Sequence, residues 1–222
     1  MASASAPTPD QDLPRDLPQD PPQELRRCGW SLGIDNVRRN PTMVAYHDTE
    51  WGVPVHDDRK HYEFLVLDAF QAGLSWAIVL NKREGFRRAF ADFDPERVAR
   101  FNRRSVERLI ADPGIVRNRQ KIEASIGNAR ALLALQEEHG SFDRFIWQFV
   151  DGKTRHNAWR SMKQVPAKTA ESDAMSKELV RRGFKFVGST ICYAYMQAAG
   201  MVNDHEIACF RHPQLLGRAR PR

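Results

Sequence analysis

The sequence predicts an all-α protein. Apolar residues recur at helical spacing through most of its length, and capping residues stand before those runs. No set of alternating strands emerges between them. Asp57 and Asp58 offer carboxylate caps to a helix through Tyr62 to Phe70. Gly73 interrupts it, and Ser75 caps a second helix through Trp76, Ile78, Val79 and Leu80. Asp94-Pro95 pairs a cap with proline at the first helical position. Asn102 opens a helix that stops before Asp112-Pro113-Gly114. Ile122, Ile126, Ala129, Leu132 and Leu133 define a longer one ending at Gly140. Ser141 then caps the run holding Phe145, Ile146, Phe149 and Val150, which Gly152 closes. Further helices are expected from about Ser172 to Arg182, from Gly188 to Ala199, and, briefly, after Asn203. Residues 45–54 read as a turn-rich stretch.

At 222 residues, the chain suits one domain or two small lobes around a cleft. With 41% hydrophobic and 28% charged residues it can build a sizeable core, and no uncharged apolar run approaches the ~18–20 residues of a membrane span. Three cysteines are too few for a disulfide scaffold, and no secretory or transit signal is visible, so a cytoplasmic location is expected. Residues 1–24 hold six of the thirteen prolines and sum to −4, which predicts a disordered acidic tail. The helical domain is expected over 25–212, followed by a short basic tail at 213–222. The whole chain carries +6, so the remainder after the acidic tail carries +10, a balance that favours a polyanionic partner through counterion release.

Three constellations are able to carry chemistry. His205 and Cys209, four residues apart on an expected helix, can reach one ion, and Cys28 and His47 can complete a closed tetrahedral zinc site of structural type. The alternative is that the cysteines are small core residues, as is read for Cys192. Leu179 to Thr190 reads as helix, glycine-bounded turn, helix, in which Gly183, Lys185, Gly188 and Thr190 suit a phosphate clamp. An ordinary αα turn with packed Phe184 and Phe186 fits the same pattern. Tyr46, Asp48, Glu50 and Trp51, together with Asp68 and Trp76, can form an aromatic and acidic pocket for a base. As single residues, those aromatics suit a core equally well.

Taken together, these stretches resemble the DNA-3-methyladenine glycosylase I family of the helix-hairpin-helix superfamily. The resemblance rests on Arg27-Cys-Gly-Trp30, Tyr46-His-Asp-Thr-Glu-Trp-Gly-Val-Pro54, Gln71-Ala-Gly-Leu-Ser-Trp76, Ile126-Gly-Asn-Ala-Arg130, Gly183-Phe-Lys-Phe-Val-Gly-Ser-Thr-Ile-Cys-Tyr193 and Val202-Asn-Asp-His205. It covers about residues 26 to 210 and implies a monomeric enzyme excising 3-methyladenine from alkylated double-stranded DNA by base flipping, without a lyase step. It also implies one zinc held by Cys28, His47, His205 and Cys209, joining the two ends of the fold. Tyr46, Trp76 and Trp51 then hold the base, and Asp68 recognises it where the family often carries glutamate. Phe70 stands where a polar residue is often found. Asp204 lies near the position of a catalytic aspartate in related enzymes but receives no catalytic role. A zinc-stabilised DNA-damage-binding protein without turnover, or a glycosylase of broader alkyl-base range, is the alternative.

Overall fold

A computed structural model describes residues 25–32 and 40–217; the expected acidic tail and residues 218–222 of the expected basic tail lie outside them. Helices dominate. The first, α1 (Pro41–Thr49), is capped by the Asn40 side chain and has proline at its first position. The expected turn-rich stretch is thus helical up to Thr49 and turns only from Glu50 onward. This helix carries two consecutive buried residues, Tyr46 and His47, which leave little apolar periodicity to read.

Helix α2 (Asp58–Gln71) starts as expected, with the Asp57 side chain accepting from the Lys60 amide. Its residues from His61 to Phe70 are all buried, so α2 is the central helix, wrapped on every side. The chain reverses at Gly73, where φ is +80°, into α3 (Trp76–Asn81), and α4 (Arg83–Ala89) follows, a helix absent from the sequence reading. Asp94 caps α5 (Pro95–Ala99), and an Asn102–Ser105 capping box starts α6 (Arg103–Ala111). The long α7 (Arg119–His139) ends at left-handed Gly140, and Ser141 caps α8 (Phe142–Trp147).

Two strands that the sequence did not announce, β1 (Arg155–His156) and β2 (Val202–Asn203), pair in parallel and tie the loop after α8 to the chain end. Two residues each is too short for a periodicity signal. Between them lie α9 (Ala170–Arg181) and α10 (Ser189–Ala198). Ser172 is not the start of α9 but its third residue, closing a capping box whose cap is Thr169. The last helix, α11 (Arg211–Leu215), crosses the expected boundary at residue 212. No helix among the described residues is long and apolar enough to cross a membrane.

The segment after α1 closes onto the end of α10: the Gly52 amide donates to the Gln197 carbonyl (3.0 Å) and the Val55 amide to the Ala199 carbonyl (3.1 Å). Gly200 makes this approach possible. Its φ is +69°, and a Cβ there would stand 2.2 Å from the Val53 carbonyl carbon. Gly200→Ala is expected to lower stability by about 3 kcal/mol and the melting temperature by roughly 10 °C. An unchanged thermal unfolding curve would show that the 53–54 backbone yields freely.

Candidate active site

The end of α1, the α2–α3 turn and the C-terminal half of α10 build one cavity of about 160 Å³. Four residues singled out in the sequence meet there: Tyr46 from α1, Trp51 just after it, Asp68 from α2, and Trp76 at the first position of α3. The Tyr46 and Trp76 rings lie 5.2 Å apart. Trp30 stands edge-on to Trp51 at 5.0 Å, and Gln71, Met162, Ala194 and Gln197 complete the lining. Trp30 and Gln71 fall within the matched motifs without a role being read for them; Met162 and Gln197 had no local signal at all.

Asp68 is 2% exposed, and its Oδ2 is buried without a hydrogen-bond partner among the described residues. Burial pushes its carboxyl well above the usual carboxylate range. The indole N–H groups of Trp30 and Trp76 are likewise buried without an acceptor. Such groups cost stability unless something satisfies them, and here they belong to residues lining one cavity.

The two other acids expected there point elsewhere. Glu50 is gripped by both terminal nitrogens of Arg83 (2.7 Å each) and by Lys60 (2.9 Å). Burial opposes its ionisation, yet these two cations hold its carboxyl down to about 2. Asp48 accepts from the His47 Nδ1–H (2.7 Å) and from Arg27.

Behind Trp51 lies a fully buried cluster of Cys28, His47, His205 and Cys209, whose ligand atoms all lie within 4.8 Å of one another. His205 and Cys209 are not on a helix, as the spacing had suggested; the segment runs in turns after β2. Three of the sulfur–nitrogen separations nevertheless fit one ion. Cys28 Sγ to His205 Nδ1, Cys209 Sγ to His205 Nδ1 and Cys209 Sγ to His47 Nε2 are each 3.5 Å. A tetrahedron with zinc's bond lengths to sulfur and nitrogen has such edges at about 3.6 Å. The tautomers agree: His47 donates its Nδ1–H to Asp48, and His205 donates its Nε2–H to the Trp51 carbonyl (3.0 Å). Each ring therefore turns a bare nitrogen toward the cluster. The Glu206 amide donates to Cys28 Sγ (3.3 Å). Gly52 permits the packing, since a Cβ there would come within 3.3 Å of the His205 ring. Four donors close the coordination shell, as in a structural site.

The α9–α10 connection is a tight hairpin. Gly183 has φ +89°, and the Phe184 amide donates to the Leu179 carbonyl, the expected left-handed helix ending. Phe184 is buried, while Gly183, Lys185, Gly188 and Thr190 are all exposed on the turn and first turn of α10. Gly188 caps α10 with no side-chain hydrogen bond. From behind, Asn128 of α7 brackets Lys185, accepting from its amide (2.8 Å) and donating to its carbonyl (3.0 Å). Cys192 is buried in α10 with its Sγ on the Val187 carbonyl, the packing role read for it.

Residues 36–212 match the methyladenine glycosylase family model. The chain belongs to this family. It is 48% identical over 189 residues to DNA-3-methyladenine glycosylase 1 of Escherichia coli strain K12, covering 85% of this chain and 98% of that one. A crystal structure of 3-methyladenine DNA glycosylase I superposes with a TM-score of 0.80 at 50% identity, covering 85% of this chain and all of the other. The glycosylase I of Staphylococcus aureus, solved to explain 3-methyladenine recognition, matches at 32% identity with a TM-score of 0.78, covering 83% of this chain and 98% of that one. As a methyladenine glycosylase, the chain is an enzyme of the class acting on N-glycosyl bonds. In this glycosylase Asp204 is not poised over the cavity as a free acid. It is buried, with all its bonds made to its own fold: Asn157, Trp159, Tyr193 and Gln197. Its side chain makes no hydrogen bond to the His205 ring, which bonds the Trp51 carbonyl, and it does not cap α11, which begins after Phe210.

Proposed function

We propose that the protein excises 3-methyladenine from alkylated double-stranded DNA as a monofunctional glycosylase, taking the base out of the helix and into the Tyr46–Trp76 cavity. The observation that carries this reading is the unpartnered, buried Asp68 oxygen in the cavity that the Tyr46 and Trp76 rings line. Methylation at N3 makes the base cationic, and a cation is what stabilises an ionised carboxylate in so dry a place. The base's amino group offers Asp68 donors, while the indole N–H groups of Trp30 and Trp76 suit acceptor nitrogens. Tyr46, Trp76 and Trp51 supply π-faces that favour the electron-poor ring.

The chemistry asks little of the protein beyond this. Water adds to C1′ of the sugar and loses a proton to solvent, and the electrons of the glycosidic bond neutralise the departing base. Selecting the cationic base and holding it unstacked supply most of the catalysis. A zinc held by Cys28, His47, His205 and Cys209 would supply structure rather than chemistry to this step: its ligands would join the two ends of the fold and, through His205 and the Trp51 carbonyl, brace one wall of the cavity. Family members named for 3-methyladenine, one of them solved in complex with that base, support the substrate. Single-turnover assays on methylated duplex should release free 3-methyladenine and leave the abasic strand uncut. Tight binding to the damaged duplex with no base released would identify a damage-binding protein instead.

The hairpin is assigned to the DNA backbone, through Lys185 and the free amides that follow Gly188 and lead to Thr190, with Gly183 shaping the turn. Lys185→Ala should weaken duplex affinity equally for all sequences and reduce the slope of log affinity against log salt by about one. An unchanged slope removes Lys185 from the interface.

A further inference from the structure

Asp204 Oδ1 accepts from Asn157 Nδ2 (2.7 Å) and Trp159 Nε1 (2.7 Å), and Oδ2 from the Tyr193 hydroxyl (2.7 Å) and Gln197 Nε2 (2.8 Å). Each oxygen thus accepts from two donors, and the indole N–H of Trp159 can only donate. The Gln197 amide is therefore held with its NH2 toward Asp204 and its Oε1 turned the other way. Gln197 is half-buried and lines the cavity, and its Oε1 has no hydrogen bond to any described residue. Without Asp204, an amide at that place is free to turn over and offer either a donor or an acceptor.

We infer that Gln197 is a specificity-determining residue: locked by Asp204, it presents an acceptor to the cavity and so selects amino-bearing over oxo-bearing alkylated purines. This rests on the reading of the cavity as the base site. An exocyclic amine has two N–H donors, enough for Asp68 and Gln197 together. A 3-methylated guanine puts a carbonyl oxygen at the same ring position, where two acceptors face it unpaired, and a polar site rejects such a mismatch far better than an apolar one does. Asp204 acts through Gln197 as a positioning residue.

The test uses duplex DNA treated with a methylating agent, so that 3-methyladenine and 3-methylguanine are released in one reaction and separated by chromatography. Gln197→Met, similar in size but without the amide, should lower kcat/KM for 3-methyladenine about tenfold and leave 3-methylguanine within about twofold, collapsing the preference. Asp204→Asn introduces an NH2 that the Gln197 amide meets by turning over, which should raise 3-methylguanine release relative to 3-methyladenine. A general loosening of the fold lowers both bases alike and does not produce that shift. Should Asp204→Asn fail to fold, Gln197→Met still decides the matter. A wild-type preference in Gln197→Met, or a parallel fall for both bases, overturns the inference while leaving the excision reading intact. No base released by the wild-type enzyme overturns both.

Discussion

Cys209→Ser is expected to release the metal and to lower the melting temperature by about 10 °C or more. Structural zinc ties folding to metal binding, because the four ligands converge only in the folded chain. Here they come from residue 28, from α1 and from the segment after β2, so losing the ion frees both ends of the fold together. A loss of ~4 kcal/mol in a domain of this size corresponds to roughly 8–16 °C. Metal analysis of the purified chain should find about one zinc, and chelation of the wild type should reproduce the Cys209→Ser melting curve. Full zinc content in both Cys28→Ser and Cys209→Ser would remove the cluster as a metal site. Because Trp51 bonds His205 through its carbonyl and lines the cavity with its ring, the metal-free protein should also lose affinity for free 3-methyladenine.

The second large effect is at Asp68. Asp68→Asn keeps the volume but removes the charge and sets a donor against the base's amino group. Excision of 3-methyladenine should fall about 10- to 100-fold, as expected for a lost hydrogen bond to a charged group. Affinity for undamaged duplex, governed by the hairpin and the basic surface, should hardly change. Asp68→Glu, which restores the residue common in the family, should keep most activity. The variant's stability runs in the opposite direction. Burial raises the folded-state pKa of Asp68, so the native state holds a proton that the unfolded chain has lost. Stability therefore falls as pH rises from the unfolded value, about 4, to the raised folded value. Asp68→Asn escapes that loss, and its advantage in denaturation midpoint over wild type should grow with pH across this window and then level off. For wild type, kcat/KM should rise with pH as the free enzyme's Asp68 ionises, a limb absent from the variant. Wild-type excision by Asp68→Asn, with no gain in stability, would make Asp68 an ordinary packed residue.

Much of the helical framework is legible locally. Asp57, Asp94, Asn102 and Ser141 each cap the helix that their sequence position announces, and Gly140 and Gly183 end theirs in the left-handed conformation. These are interactions within three or four residues, so the sequence shows both partners at once. The same locality misleads where a segment's shape is imposed from outside. Residues 45–49 read as part of a turn because their buried pair, Tyr46 and His47, packs against different partners: Trp76 on one side, the metal cluster on the other. Residues 205–209 look helical by spacing, yet β2 pairing with β1 and the reach to Cys28 hold them in turns.

What the sequence by itself determined is the all-α class, the order of most helices, and, through its family motifs, four residues that meet in the cavity and the four of the cluster. Tertiary structure alone decided how those residues are used. It gave Glu50 to Arg83 and Asp48 to His47, leaving Asp68 as the acid of the cavity with an unpartnered oxygen. It also surrounded Asp204 with donors from α10 and from the loop after β1, and thereby set the direction of the Gln197 amide. A carboxylate or an amide carries no local sign of its partner. Its role is fixed by which donors and acceptors packing brings within about 3 Å, and most of those lie tens of residues away in the chain.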